Sequence, residues 1–197
     1  AKDLFEKGYR EITLLGQNVN SYCWEEEGKI TNFAQLMEMI AKISPLLRVR
    51  FSTSHPKDIS EELIKTIASY DNICNYIHLP VQSGSTRMLE KMNRKYTRED
   101  YMNKIEMIKK YIPDCSISTD IITGFCSETL EDHNDTLSMM KWVGYDYAFM
   151  FNYSERPNTI AAKKFEDDIP LEEKTRRLEE IINMQRELSH KSNLRDI

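Results

Sequence analysis

The sequence predicts an α/β fold built on a parallel sheet. Five short apolar runs recur along the chain, and amphipathic helical stretches separate them. No segment is repeated or of low complexity. Regular alternation of strand and helix implies parallel strands joined by right-handed crossovers. Two layouts satisfy this pattern: an open doubly wound sheet, or a barrel or partial barrel. In both, working groups lie just beyond the carboxyl ends of the strands. Composition agrees with a folded chain, since 40% of the 197 residues are hydrophobic.

The opening segment, AKDLFEKGYR, is charged and helix-like, and it is not expected to be a signal peptide. Glu11 to Leu15 (EITLL) is the first strand, closed by Gly16. Thr31 to Ile43 reads as a helix with Phe33, Leu36, Met37, Ile40 and Ala41 on one face; Asn32 and Gln35 are spaced as N-cap and N3 partner. Leu47 to Ser52 (LRVRFS) alternates as a strand, and Ser60 to Tyr70 follows as a helix facing inward through Leu63, Ile64 and Ile67. Ile73 to Leu79 (ICNYIHL) is a strand stopped by Pro80. Thr97 caps a helix with Tyr101, Ile105, Ile108 and Ile112 inside, ended by Pro113 and Asp114. Cys115 to Ile122 (CSISTDII) is the fourth strand. Thr129 caps the next helix, whose expected apolar side is Leu137, Met140, Trp142 and Val143. Tyr147 to Tyr153 (YAFMFNY) is the fifth strand. Pro170 opens a long helix to about Lys191, with expected pairs Glu172–Arg176 and Glu173–Arg177 and a stripe of Leu171, Leu178, Ile181, Ile182, Gln185 and Leu188.

Charge and cysteine usage narrow the function. The formal net charge is −5, which argues against holding nucleic acid by bulk charge alone, though not against a local basic patch. No stretch approaches the ~18 uninterrupted apolar residues of a membrane helix. Cys23, Cys74, Cys115 and Cys126 are 51, 41 and 11 residues apart, without C-x-x-C spacing, so no zinc or iron–sulfur ligand set is recognisable. Scattered thiols fit a reducing cytoplasm without a disulfide framework.

The segments after the apolar runs are polar and small: Gly16–Tyr22, Ser52–Pro56, Pro80–Ser85, Thr119–Phe125 and Asn152–Pro157. Amides such as Gln17, Asn18 and Gln82 donate and accept together, which suits a ligand bearing both an amine and a carboxylate or hydroxyls. Asp120 offers an acceptor for ribose hydroxyls or an ammonium, and Arg94 a fork for a carboxylate. No nucleophile has an adjacent base, so a cofactor is expected to carry the reaction. The plain alternatives are turn residues, a loop histidine at His55, and a solvated basic stretch at Arg94, Lys95 and Arg98.

LLGQNVNSY (14–22), RFSTSHP (50–56), HLPVQSGS (78–85), MNRKYTRE (92–99), STDIITGF (118–125) and YSERPNTIAA (153–162) occur in order over nearly the whole chain. Together they resemble the radical SAM methylthiotransferases, and among these the MiaB family of tRNA-2-methylthio-N6-dimethylallyladenosine synthases. The resemblance implies an incomplete (β/α)6-type partial TIM barrel of parallel strands, a radical SAM core lacking its first strand. It implies that residues 1–197 are the middle part of a longer enzyme. The N-terminal cluster domain, the C-x-x-x-C-x-x-C loop and the C-terminal TRAM domain would lie outside them.

The cofactors so implied are S-adenosylmethionine and 4Fe-4S clusters, none ligated by this chain, which is expected to be inactive alone. The implied reaction uses a 5′-deoxyadenosyl radical to activate C2 of an isopentenylated adenosine beside a tRNA anticodon. The implied partners are the tRNA anticodon arm and sulfur and electron donors, in the cytoplasm and away from membranes. A sheet edge left open by the missing strand is expected to favour dimerisation or aggregation.

Residue by residue, the resemblance places Gln17 and Asn18 at the methionine amino group, with Thr53 a weaker candidate. It places Gln82 and Asp120 at the ribose, Arg94 at the cofactor carboxylate, Gly124 beside the adenine, and Arg156 on the substrate side. Two departures stand out: Cys126-Ser127 replaces Pro-Gly in the usual G-F-P-G-E-T, and Asn158 replaces the glycine after Arg-Pro. The nearest rival is the sister enzyme that methylthiolates a ribosomal-protein aspartate, whose motifs differ at LLGQN, STSHP and HLPVQ. Rivals of other classes are a non-catalytic tRNA-docking module and a phosphate-binding α/β enzyme, the latter resting only on Ser83-Gly84-Ser85.

Overall fold

A computed structural model describes residues 1–52 and 54–194. The chain divides into two compact units, Ala1–Leu79 with Asn103–Ile117 and Pro80–Met102 with Ser118–Ile197.

In the first unit, α1 (Lys2–Glu6) leads into β1 (Glu11–Leu14). A 3-10 turn at Val19–Ser21 precedes a hairpin of β2 (Cys23–Glu26) and β3 (Lys29–Asn32). Then come α2 (Phe33–Ala41), β4 (Arg48–Phe51), a 3-10 turn at Pro56–Asp58, α3 (Glu61–Ser69) and β5 (Tyr76–His78). β1 and β4 pair in parallel, Ile12 opposite Val49 and Leu14 opposite Phe51, and Val49 bridges in parallel to Ile73. All eight residues of the hairpin lie outside the apolar core, so no burial pattern marks it in the sequence. Its pairing is antiparallel, Trp24 opposite Thr31.

The predicted cap of α2 is present: Asn32 accepts from the Gln35 amide and the Gln35 side chain accepts from the Asn32 amide, both at 2.9 Å. The helix starts later than expected because Thr31 belongs to β3. Phe33, Met37 and Ile40 are buried, and Phe33 meets Phe51 edge-on at 5.5 Å. At the other end the Asn72 amide donates to Ala41, Ser44 and Leu47 carbonyls at 2.9–3.0 Å, satisfying groups a helix end leaves open.

The second unit holds α4 (Thr86–Lys91), the start of α5 (Arg98–Tyr111), most of β6 (Ser116–Thr123), α6 (Leu130–Val143), β7 (Tyr147–Asn152), α7 (Ile160–Lys164) and α8 (Leu171–Asn193). β6 and β7 pair in parallel with Asp120 opposite Phe149. Thr97 and Asp100 close α5's first turn reciprocally, and Tyr101, Ile105, Ile108 and Ile112 are buried as expected. Tyr101 and Tyr145, both fully buried, share a hydroxyl–hydroxyl bond of 2.9 Å.

Two helix faces differ from expectation. In α6 Met140 and Val143 are buried, but Trp142 is exposed, and polar Asp132, His133 and Thr136 take inner positions instead. In α8 Leu171 is exposed, while Lys174, Arg177, Ile181 and Gln185 are buried. The 3.6-residue period holds there, but buried charges satisfied by partners occupy an inner stripe that apolar counting assigns to leucine. Arg176 pairs with Glu173 and Glu180 rather than Glu172, and the expected Glu173–Arg177 pair forms at 2.8 Å.

Candidate cofactor-binding site

In the first unit the loop after β1 is stitched to the turn after β4. Asn20 makes a two-way bond with the His55 backbone, accepting at 3.1 Å and donating at 3.2 Å. The Asn18 amide donates to Asp58 at 2.6 Å and to Ser21 at 2.5 Å, and the Ser21 hydroxyl donates to the same Asp58 oxygen at 2.6 Å. Burial alone would raise the Asp58 carboxyl; the Ser21 and Asn18 hydrogen bonds outweigh it and hold the group below its usual range. These bonds orient Asn18 so that its Oδ1 is buried with no hydrogen-bond partner among the described residues, and Ser54 Oγ in the turn after β4 is in the same condition. A buried orphan acceptor carries a desolvation cost that a donor such as an ammonium would relieve. A cavity of about 480 Å³ opens beside Asn18, walled by Leu14, Val19, Tyr22, Phe33 and Leu36. Gln17 is exposed on the same loop, and Thr53 lies outside the described residues.

In the second unit the segment after Leu79 is gripped through its backbone. The Val81 amide donates to Thr119 Oγ1 at 2.9 Å, the Gln82 amide to the Asp120 carbonyl at 2.8 Å, and the Ile122 amide to the Gln82 carbonyl at 2.9 Å. This ladder holds Gln82 at φ +72°, a left-handed conformation that costs a non-glycine residue about 1–2 kcal/mol. Gly84 follows against α6: a Cβ there would lie 2.5 Å from the Asp135 carbonyl, so no side chain fits. Its role is close packing, with its amide on Thr136 at 3.0 Å. Gln82 and Asp120 are thus brought together on neighbouring strands.

Arg94 is half-buried, and its backbone closes on the Leu89 carbonyl at 2.8 Å. Burial pushes the neighbouring Tyr96 phenol up to about 12, with the Arg94 charge opposing the rise. The Tyr96 hydroxyl is shared by the Pro80 and Val81 carbonyls at 3.2 and 3.1 Å. The structure brings Gln82 and Asp120 together through a backbone hydrogen bond, while Arg94 stands near Tyr96 in the segment after α4. Arg156 is exposed, and its carbonyl accepts from Thr159, the cap of α7.

The loop after β6 is held by charges. Gly124 has φ +66°, and the Lys174 side chain fills the space a Cβ would need. Its amide donates to buried Glu128 at 2.8 Å, and Arg177 donates to the Glu128 carboxylate at 2.7 Å and to its carbonyl at 2.9 Å. Lys174 reaches Asp167 at 2.5 Å. Burial opposes charge on Asp132, yet bonds from Arg87, Ser85 and Thr129 hold its carboxyl far below the usual range. Both sequence departures adopt the glycine conformation they replace: Ser127 at φ +59° and Asn158 at φ +68°. Ser127 is fixed there by its amide on Asp168 at 2.6 Å and by Lys91 on its hydroxyl.

Asn20, Asp58, Glu128, Asp132 and Lys174 carry no mark in the sequence that assigns them to the site, and Arg177 stands out there only as the i,i+4 partner of Glu173. The spacing of Lys174 and Arg177, three apart on one helix face and continuing to Ile181, was the available signal. Among the described residues no three His, Cys, Asp or Glu are grouped to hold a metal ion. The cysteines are free, Cys23 exposed and Cys126 buried.

With parallel α/β units, polar strand-end loops and this cluster in view, comparison with known proteins defines the class. Residues 1–140 match the radical SAM superfamily, and the chain belongs to it. Among solved structures it is similar to coproporphyrinogen III oxidase (HemN) from Escherichia coli, with TM-score 0.62, 20% identity, and coverage of 79% of this chain and 36% of that one. It is also similar to methylornithine synthase (PylB), at TM-score 0.59 and 15% identity over 93% of this chain and 52% of the other. These likenesses show the fold, an incomplete parallel α/β barrel of the radical SAM kind. More particularly, the chain is 57% identical to the tRNA-2-methylthio-N(6)-dimethylallyladenosine synthases of Parabacteroides distasonis and Amoebophilus asiaticus, over 100% of its own length and 43% of theirs. The chain thus spans less than half the length of these relatives.

Proposed function

We propose that this chain is the S-adenosylmethionine-binding part of an enzyme that methylthiolates dimethylallyladenosine in tRNA. The observation that carries the reading is 57% identity across the whole chain to synthases of that name. The site residues fit the cofactor's chemistry: Asn18 supplies an orphan buried acceptor for an ammonium, Gln82 and Asp120 polar groups for ribose hydroxyls, and Arg94 a cation for a carboxylate. In this reading Gly124 is assigned to the adenine, Gln17 and Thr53 to the methionine end and Arg156 to the RNA side.

When bound, S-adenosylmethionine with a reduced 4Fe-4S cluster supplies a radical that removes hydrogen from an unactivated carbon. The residues of this chain bind and orient the cofactor, and the gain is positional. Cluster ligands, a sulfur source and an electron donor belong to the longer protein and its partners. No described helix is long and apolar enough to cross a membrane, which accords with a cytoplasmic tRNA substrate. β1 pairs with β4 on one side, and its other edge has no named strand beside it among the described residues. Self-association through that edge is expected at high concentration and is read by light scattering.

The test is deletion of the gene in its host, followed by mass spectrometry of tRNA nucleosides. Loss of the 2-methylthio group, with dimethylallyladenosine accumulating, is expected. Unchanged methylthio content overturns the proposal.

A further inference from the structure

Lys174 lies in the first turn of α8 with only 5% of its side chain exposed. Its ammonium meets three acceptors, as many as it has N–H groups: the two Asp167 oxygens at 2.5 and 2.7 Å and the Tyr153 carbonyl at 3.3 Å. It also stands over the Tyr153 ring, 5.2 Å from the centroid. The methylene stem lies against Gly124, in the space that a Cβ there would enter. One side chain thus touches the turn after β6, the end of β7 and the approach to α8. A buried ammonium is costly, and an apolar side chain of similar length would fill the space beside Gly124 equally well. What the charge adds is a fixed link from that turn to the end of β7, which runs directly into Ser154, Glu155 and Arg156.

We infer that Lys174 is a positioning residue that couples the turn assigned to the adenine to the segment assigned to the RNA side. This coupling rests on the function proposed above and joins two of its sites. The stem cannot shift along Gly124 without moving the ammonium, and a buried ammonium does not exchange its partners for bulk water. A base seated against Gly124 is therefore expected to displace Tyr153, and with it the backbone leading to Arg156. Two other contacts link the same strand ends: the Tyr153 amide donates to the Thr123 carbonyl at 2.8 Å, and the Phe125 and Tyr153 rings meet edge-on at 4.8 Å. Both start from the neighbours of Gly124 and neither involves Asp167, so removing the ammonium separates the two routes.

The experiment saturates this chain with S-adenosylhomocysteine and follows the backbone amide signals by NMR. In the unsubstituted chain the probe is expected to shift Gly124 and, with it, Ser154, Glu155 and Arg156. Lys174→Met keeps the stem and removes the ammonium: Gly124 is expected still to shift, while the response at Ser154, Glu155 and Arg156 is lost. Lys174→Arg, which keeps a cation, is expected to restore that response. A merely structural lysine would not give this split, since general loosening weakens both responses together. If Lys174→Met fails to fold, Asp167→Asn decides, its uncharged acceptor being expected to reduce the response at Ser154, Glu155 and Arg156 by about half. A response at Gly124 with none at those three residues in the unsubstituted chain overturns the coupling, and so does a response there that is unchanged in Lys174→Met or, where that variant does not fold, in Asp167→Asn. In these cases the cofactor reading stands, because the probe still moves Gly124. If S-adenosylhomocysteine leaves both Gly124 and Gln82 unmoved in the unsubstituted chain, the cofactor reading falls and the coupling with it.

Discussion

The loops after β1 and after β6 are both short, polar and close to residues assigned to the cofactor, yet they are held in opposite ways. The first is fixed by hydrogen bonds of uncharged side chains onto one carboxylate, Asp58, within forty residues of chain and largely at the surface. The second is fixed by buried charges, Glu128 under Arg177 and Gly124 under Lys174, with partners about fifty residues away on α8. The difference is one of stakes. A surface hydrogen bond that breaks is replaced by water, whereas a buried carboxylate that loses its arginine has nothing to replace it.

Removing that arginine is therefore the harshest test. Arg177→Met leaves Glu128 buried and unpaired and is expected to cost about 3–5 kcal/mol in urea unfolding. Adding Glu128→Gln should restore part of that loss, and a single-variant loss below about 1 kcal/mol would break the contrast between the two loops.

Next comes acid. The Asp132 carboxyl is depressed in the folded state, so its contribution is fully present above the unfolded value near 4 and is lost as pH falls through the lower folded value. Asp132→Asn is expected to cost about 2 kcal/mol at pH 7, with the gap to wild type narrowing progressively below about pH 4. A gap that stays constant to pH 2 would show that the carboxylate's charge is not what matters.

Gly124→Ala is smaller in backbone terms, about 1–2 kcal/mol for the left-handed conformation, with the displacement of Lys174 added. It is expected to weaken S-adenosylhomocysteine binding by calorimetry or NMR titration more than it lowers the melting temperature. The smallest effect belongs to the first loop: Asp58→Asn is expected to cost about 1 kcal/mol while changing the side-chain amide signal of Asn18. An unchanged Asn18 signal would mean that Asp58 does not orient it.

Much of the candidate site was legible because it lies in contiguous motifs. Gln82, Arg94, Asp120 and Gly124 each follow an apolar run or a cap that the sequence displays, and the structure joins Gln82 to Asp120 through the backbone. The clamp was not legible. Glu128 looks like an ordinary helix-entry acid, and Lys174 and Arg177 look like the solvated side of a charged helix. The β2–β3 hairpin escaped for a related reason, since strands that bury nothing leave no alternation to read.

By itself the sequence determined the alternation of strands and helices, the caps at Asn32, Thr97 and Thr129, and the order of motifs that marks the superfamily. These depend on residues within one turn or one strand of each other. Only the tertiary structure decided which charges are buried, which amide is left without a partner, and which strand face stays open to solvent. Those depend on groups tens of residues apart, where burial sets the cost of a charge or an unpaired acceptor, and burial is a property no single segment carries.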